Sequence, residues 1–331
     1  MRLGRGREPP PAATSVTGID APAAGSGKPL ARRRAILQDE GVPLLRAVVV
    51  ALLATLVTAT TAHAGKPRWQ TMRLPPAMPT ADGRGNAEVP GARIFYAVYG
   101  KGEPVILLHG GLGNSEHFAF QVPALSDRFQ VITIDSRGQG RSTNDATTIT
   151  YDVMASDVIA VMDKLAIKRA SVVGWSDGGE IALKLGIAFP DRVDRLFVFG
   201  AGYDTDTVGT KRRGNRSATF TVYSNKCRSD YQRMSITGRP YNALVRDLLP
   251  LWRGPTGITK DHLRAMKVPV MIADGDHDEV IVLDQVVEMA KLIPNGQLKV
   301  FSDTSHFALW QDPDNFNKAV VDFLTTPISL R

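Results

Sequence analysis

A chain of 331 residues, 43% hydrophobic and 22% charged, is long enough to bury a sizeable core and too ordinary in composition to be disordered or fibrous. Its single cysteine, Cys227, excludes an intramolecular disulfide framework and a cysteine-based metal site. The formal net charge is +7, but residues 1–64 carry eight Lys/Arg against four Asp/Glu, and the remainder holds no nucleic-acid-reading motif, which excludes a nucleic-acid partner.

The first segment, residues 1–64, is rich in Gly, Pro, Ala and Arg, then nearly all apolar from Ala47 to Val57, then closes on Ala62-His63-Ala64. A basic region, a short apolar core and an A-x-A site form the pattern of a secretory leader, and the core is too short to span a bilayer comfortably. A periplasmic or secreted protein with no stable membrane partner is expected, an uncleaved membrane anchor being the alternative. Residues 65–91 are Pro/Gly-rich, punctuated by Pro75-Pro76, Pro79 and Asp82-Gly83, and read as a lead-in without apolar period.

Beyond residue 92, short apolar runs alternate with helical patterns. Arg93 to Val98, Val105 to Leu108, Val131 to Ile134, Ser171 to Val173, Leu196 to Phe199, Val268 to Ala273 and Leu298 to Phe301 read as strands. Met154, Val158, Val161, Met162 and Leu165 mark one face of a helix between two of them. Repeated β-then-α order predicts an α/β fold with a doubly wound, mostly parallel sheet. Its core spans 92–204 and 263–331, and 205–262 forms a short helical cap insertion.

Sites on such sheets lie at the carboxyl ends of strands, so the loops there are read together. His109-Gly110-Gly111-Leu112-Gly113 follows one strand, and its missing side chains let backbone N–H groups approach a ligand. Gly174-Trp175-Ser176-Asp177-Gly178 follows another with G-x-S-x-G spacing, which makes a tight strand-to-helix turn that holds the serine out. Asp274-Gly275-Asp276-His277-Asp278 and Asp303-Thr304-Ser305-His306-Phe307 follow the last two. A serine hydroxyl is a weak nucleophile near neutral pH, and acyl transfer needs a base beside it and a carboxylate to orient that base. Asp274, Asp276 and Asp278 are all candidates for the acid. Among the histidines, His109 sits in the glycine loop, where a structural role is usual, and His117, His262 and His277 follow no terminal strand, which leaves His306 as the base.

Taken together, the HGG loop, the Asp135-Ser136-Arg137-Gly138-Gln139-Gly140-Arg141-Ser142 run, the GWSDGG turn, the GDHDEV loop and the late Ser-His-Phe resemble the α/β-hydrolase family over about Ala92 to Leu324. Gln139 departs from the histidine frequent there, in a loop that is structural in the family. By position, the resemblance implies Ser176 as nucleophile, Asp278 as acid with Asp276 next, and His306 as base, with the Gly111 and Asp177 amides as oxyanion hole.

Adjacent Asp276-His277-Asp278-Glu279 ligands in one loop do not converge on a metal without further ligands, and Gly110-Gly111-x-Gly113 lacks nucleotide-loop spacing, so neither metal nor cofactor is expected. Apolar positions of the insertion, Phe220, Tyr223, Met234, Tyr241, Leu244, Leu248 and Trp252, either wall an acyl pocket or form the cap's own core. The insertion also carries eleven Lys/Arg against four Asp/Glu, which points to an anionic substrate drawn to a basic lid. The expected activity is hydrolysis of a small carboxylic ester or lactone through an acyl-enzyme. Alternatives are an aminopeptidase or amidase, a carbon–carbon bond hydrolase, or a non-catalytic binder on the same scaffold.

Overall fold

The computed structural model describes residues 66–145, 147–203 and 217–327, so the proposed leader lies outside the described residues. One eight-stranded sheet organises the rest: β1 Gly83–Val89, β2 Ala92–Tyr99, β3 Glu103–Leu108, β4 Phe129–Ile134, β5 Ala170–Trp175, β6 Val193–Phe199, β7 Val270–Gly275 and β8 Gly296–Phe301. The spatial order is β1-β2-β4-β3-β5-β6-β7-β8. Strands β3 to β8 are parallel, and β2 is antiparallel to both β1 and β4.

All seven apolar runs of the sequence fall within β2 to β8 or overlap them. The run from Val268 enters the sheet two residues later, at Val270, because Pro269 has no N–H to give the ladder. Strand β1 corrects the reading of 65–91 as a mere lead-in. Its sequence, GRGNAEV, buries only Ala87, as an edge strand can, and so shows no apolar alternation. It turns into β2 through Pro90-Gly91, where proline sets one dihedral and glycine takes φ +73°.

The last four residues of β3, β4, β5, β6 and β7 are all buried, as in a parallel sheet covered on both faces. The covering helices are α1 Gln121–Ser126, α2 Tyr151–Lys164, α3 Asp177–Ala188, α4 Ala218–Met234, α5 Tyr241–Arg253, α6 Lys260–Arg264, α7 Leu283–Leu292, α8 Ala308–Gln311 and α9 Pro313–Thr325. Helix α3 packs on β5 and β6 beside α2, α9 packs beside α1, and α7 packs on β7 and β8. Helix α2 starts where the Thr150 hydroxyl accepts the Val153 N–H at 3.1 Å, and buries Met154, Val158, Val161 and Met162 as the period requires. Among the described residues no helix is long and apolar enough to cross a membrane.

The insertion holds α4 and α5, which pack on each other, while α6 runs from Lys260 past the expected boundary at 262. Met234, Leu244 and Leu248 are buried, Leu244 and Leu248 within the hydrophobic cluster that the cap shares with the sheet body. The cap is tied to the body by Asp230, which accepts a hydrogen bond from the Asn114 amide at 3.3 Å and sits 3.1 Å from the His117 ring. Arg233 adds an ion pair to Glu116 at 2.7 Å.

The Asp135–Ser142 loop is structural throughout. Asp135 accepts the Ser115 and Arg141 amides at 2.7 and 2.8 Å, and Ser142 joins the Asp135 carbonyl to the Phe95 amide. Arg137 forms a two-point pair with Asp157 of α2, at 2.9 and 2.5 Å, and both side chains are buried. Removing the guanidinium leaves a carboxylate buried without its counter-charge. Arg137→Met is expected to cost about 3–5 kcal/mol of stability, read from the midpoint of urea unfolding.

Candidate active site

Ser176 occupies the single residue between the end of β5 and the start of α3, at φ +55° and ψ −123°, a conformation that costs strain in a non-glycine residue. Backbone contact enforces it. A Cβ on Gly174 would stand 2.1 Å from the Gly178 carbonyl oxygen, and one on Gly178 would stand 2.0 Å from that of Leu108. Only glycine at both positions lets α3 begin against β3 and β5, and the Ser176 amide then donates to the Phe199 carbonyl at 2.9 Å.

His306 follows β8 by a loop that the neighbouring core orients: the buried Trp175 indole donates to the His306 carbonyl at 2.9 Å. The His306 Nδ1 lies 2.7 Å from Asp278 Oδ2. The other oxygen of Asp278 accepts the Val280 and Ile281 amides at 2.6 and 2.7 Å. Those amides orient the carboxylate, which therefore accepts a hydrogen bond from the Nδ1–H of His306 and leaves Nε2 with a free lone pair. Gly200, at φ +61°, makes room for the ring, since a Cβ there would lie 3.0 Å from two imidazole atoms.

Of the three candidate acids, Asp276 is turned to the loop, accepting the Asp303 and Thr304 amides at 3.0 and 3.2 Å and pairing with His277 at 2.7 Å. Asp274 is buried and accepts the Gly275 amide. Burial, then the charge of Asp278, pushes Asp274 far above the usual carboxylate range, so it keeps its proton. Burial opposes ionisation of Asp278 as well, but the imidazole and the hydrogen bonds override it, and its pKa is lowered. For His306, burial favours the neutral ring, yet attraction to Asp278, Glu279 and Asp177 raises its pKa above the ordinary 6.5.

The glycine loop closes a turn from the Gly113 amide to the Gly110 carbonyl at 3.0 Å, with Leu112 at φ +66°. Among the described residues the Gly111 and Asp177 amides have no acceptor, so both remain available to a developing oxyanion. His109 is structural: Nδ1 bonds the Gly110 carbonyl, Nε2 accepts the Ser136 amide, and burial lowers its pKa to about 4, holding the ring neutral.

Ser176, His306, Gly111 and Asp177 line one cavity of about 520 Å³. Phe220, Tyr223, Tyr241 and Trp252 of the cap line it too, so the insertion's apolar positions divide between pocket wall and buried core. Several wall residues escape the sequence reading, Glu180 and Tyr151 among them. Glu180 is an acid within an otherwise buried, largely apolar stretch of α3, and that contrast was the available signal; Tyr151 opens α2 and reaches Asp177 at 3.3 Å, which no local pattern announces. Four of the insertion's cations are spent elsewhere: Lys226, Arg233, Arg239 and Lys260 pair with Asp230, Glu116, Asp247 and Glu288. Among the described residues the charged groups of the wall, besides His306, are Arg228, Asp177, Glu180 and Glu279. Among the described residues no group of three or more His, Cys, Asp or Glu could hold a metal ion.

Comparison with known proteins agrees with this architecture. The alpha/beta hydrolase fold family matches residues 103–221 and 203–313. A 2-hydroxy-6-oxononadienedioate/2-hydroxy-6-oxononatrienedioate hydrolase of Pseudomonas sp is 28% identical over 248 residues, covering 67% of this chain and 88% of its own. The solved structure of Est816, described as an N-acyl homoserine lactone degrading enzyme, is 26% identical with a TM-score of 0.61, covering 72% of this chain and all of the other. A meta-cleavage product hydrolase from Pseudomonas fluorescens IP01 superposes with a TM-score of 0.63 at 24% identity, over 72% of this chain and 97% of its own, which speaks to the fold alone. With a family match over more than half its length and hydrolases among its relatives, the chain belongs to the alpha/beta hydrolase fold family.

Proposed function

We propose that the protein is a serine hydrolase of small carboxylic esters or lactones that works through an acyl-enzyme on Ser176. The observation that carries this reading is the oriented His306–Asp278 pair, 2.7 Å apart, whose imidazole lines the same cavity as Ser176. His306 Nε2 takes the Ser176 hydroxyl proton as the oxygen attacks the acyl carbon, and the Gly111 and Asp177 amides receive the oxyanion. The imidazolium then gives its proton to the leaving oxygen, and water, activated by the same ring, releases the acid from Ser176.

Both the lactone-degrading relative at 26% identity and the carboxyl groups in the cavity wall support an ester or lactone over a dicarboxylate substrate. The relative at 28% identity is named for dienedioates, and a dianion would meet three wall carboxyl groups and Arg228 here. That balance favours hydrolysis of esters over the carbon–carbon alternative. The basic-then-apolar order of residues 1–64 supports export, and N-terminal sequencing of protein recovered outside the cytoplasm is expected to begin after Ala64.

Ser176→Ala is expected to lower turnover of p-nitrophenyl esters by about a million-fold and to abolish labelling by a fluorophosphonate, because the three groups act as a unit. Residual activity of more than a few per cent would remove Ser176 from the chemistry. The ring must be neutral to act as base, so kcat/KM should rise with pH and reach half its maximum above 6.5, the ordinary histidine value. In Asp278→Asn the raising charge is gone while burial remains, so that midpoint should move to lower pH as turnover falls about 10⁴-fold.

A further inference from the structure

We propose that Asp177 and Glu180 form a cation subsite beside Ser176, so that the substrate of this hydrolase carries an ammonium group close to its scissile ester. The proposal rests on the acyl-hydrolase reading above and names the substrate class of that same cavity. Asp177 and Glu180 stand three residues apart in the first turn of α3, a spacing that places them on one side of the helix, and both line the cavity. Glu180 is only 6% exposed, and its Oε1 accepts the Gly202 amide at 3.0 Å. Its Oε2 is buried and has no partner. A buried carboxyl oxygen left without a donor is costly, and its place in a ligand cavity indicates that the donor arrives with the ligand.

The neighbours define what that donor is. Asp177 is held by neutral donors, the Trp252 indole at 3.0 Å to each oxygen and the Tyr151 hydroxyl at 3.3 Å. Among the described residues neither acid is offset by an ion pair. Lys184, one turn further along α3, is committed to Asp152 and to the Gly257 carbonyl. Arg228 lies 5.3 Å over the Tyr241 ring. Burial raises Asp177 to about 6 and Glu180 well above the ordinary carboxylate range. An incoming ammonium supplies hydrogen-bond donors to the open oxygen and the counter-charge that no side chain among the described residues gives either acid. The Trp252 and Tyr151 rings in the same wall add faces on which a cation is stabilised.

Isosteric esters test this directly. The benzyl esters of alanine and of isobutyric acid differ only in ammonium against methyl on the acyl side, and 2-aminoethyl and propyl benzoate make the same comparison on the alcohol side. The wild-type enzyme is expected to favour the ammonium member of at least one pair by about tenfold or more in kcat/KM, since a site built to bind an N–H donor rejects the analogue lacking it. Butylammonium chloride should inhibit hydrolysis of the neutral ester competitively where sodium chloride at equal ionic strength does not. In Glu180→Gln the ammonium preference should fall by about tenfold, and Glu180→Asp should restore part of it. Equal rates within both pairs, no inhibition by butylammonium, or a preference unchanged in Glu180→Gln would each overturn the subsite. Fluorophosphonate labelling of the same wild-type preparation separates the two readings: labelled enzyme without ammonium preference sinks the subsite alone, and unlabelled enzyme sinks the acyl-hydrolase reading beneath it.

Discussion

The site depends on one contact made by backbone alone, the approach of the first turn of α3 to the ends of β3 and β5. Gly178 lies so close to the Leu108 carbonyl, and Gly174 to the Gly178 carbonyl, that no side chain fits at either point. That closeness bends the chain at Ser176 into a left-handed conformation and leaves the Asp177 amide unpaired at the mouth of the helix. The helix dipole at the same end favours negative charge, so the turn that exposes the hydroxyl also prepares the place for an oxyanion.

Around that turn, five carboxyl groups meet different partners. Asp278 is ionised because two amides and an imidazole reach it. Asp274, just behind, has one amide and a charged neighbour, and keeps its proton. Glu279 receives the His306 amide and the Ser217 and Thr219 hydroxyls, which bind the start of α4 to the histidine loop. Asp177 and Glu180 face the cavity with neutral partners and an open oxygen between them. Carboxyl groups thus orient the imidazole, anchor the cap and wall the cavity, and the difference lies in the donors each one meets.

The cap shares the histidine's surroundings. Trp175, Tyr223, Phe307 and Trp310 pack with ring centroids 5.2–6.1 Å apart beneath the site, and Tyr223 of α4 donates its hydroxyl to the Gly111 carbonyl at 2.7 Å. A cap helix therefore helps hold the glycine loop whose Gly111 amide is proposed to receive the oxyanion. Displacing α4 would loosen the glycine loop as well as open the cavity.

Local chemistry made much of this legible in the chain itself. Apolar runs of β-branched residues mark buried parallel strands, glycine two residues either side of a serine marks a turn with no room for side chains, and the loops after three of the strands mark where Ser176, a group of carboxylates and His306 stand. Strand β1 was not legible, because an edge strand with one buried residue has no apolar period to read. Which of Asp274, Asp276 and Asp278 meets the imidazole could not be read from their crowding in one loop; the amides of Val280, Ile281, Asp303 and Thr304 decide it by what they bind. Charge was the least legible. The insertion counts as strongly basic along the chain, yet folding pairs four of its cations with acids away from the cavity and turns Asp177 and Glu180 inward, because an electrostatic field follows distances in space that residue counts do not contain.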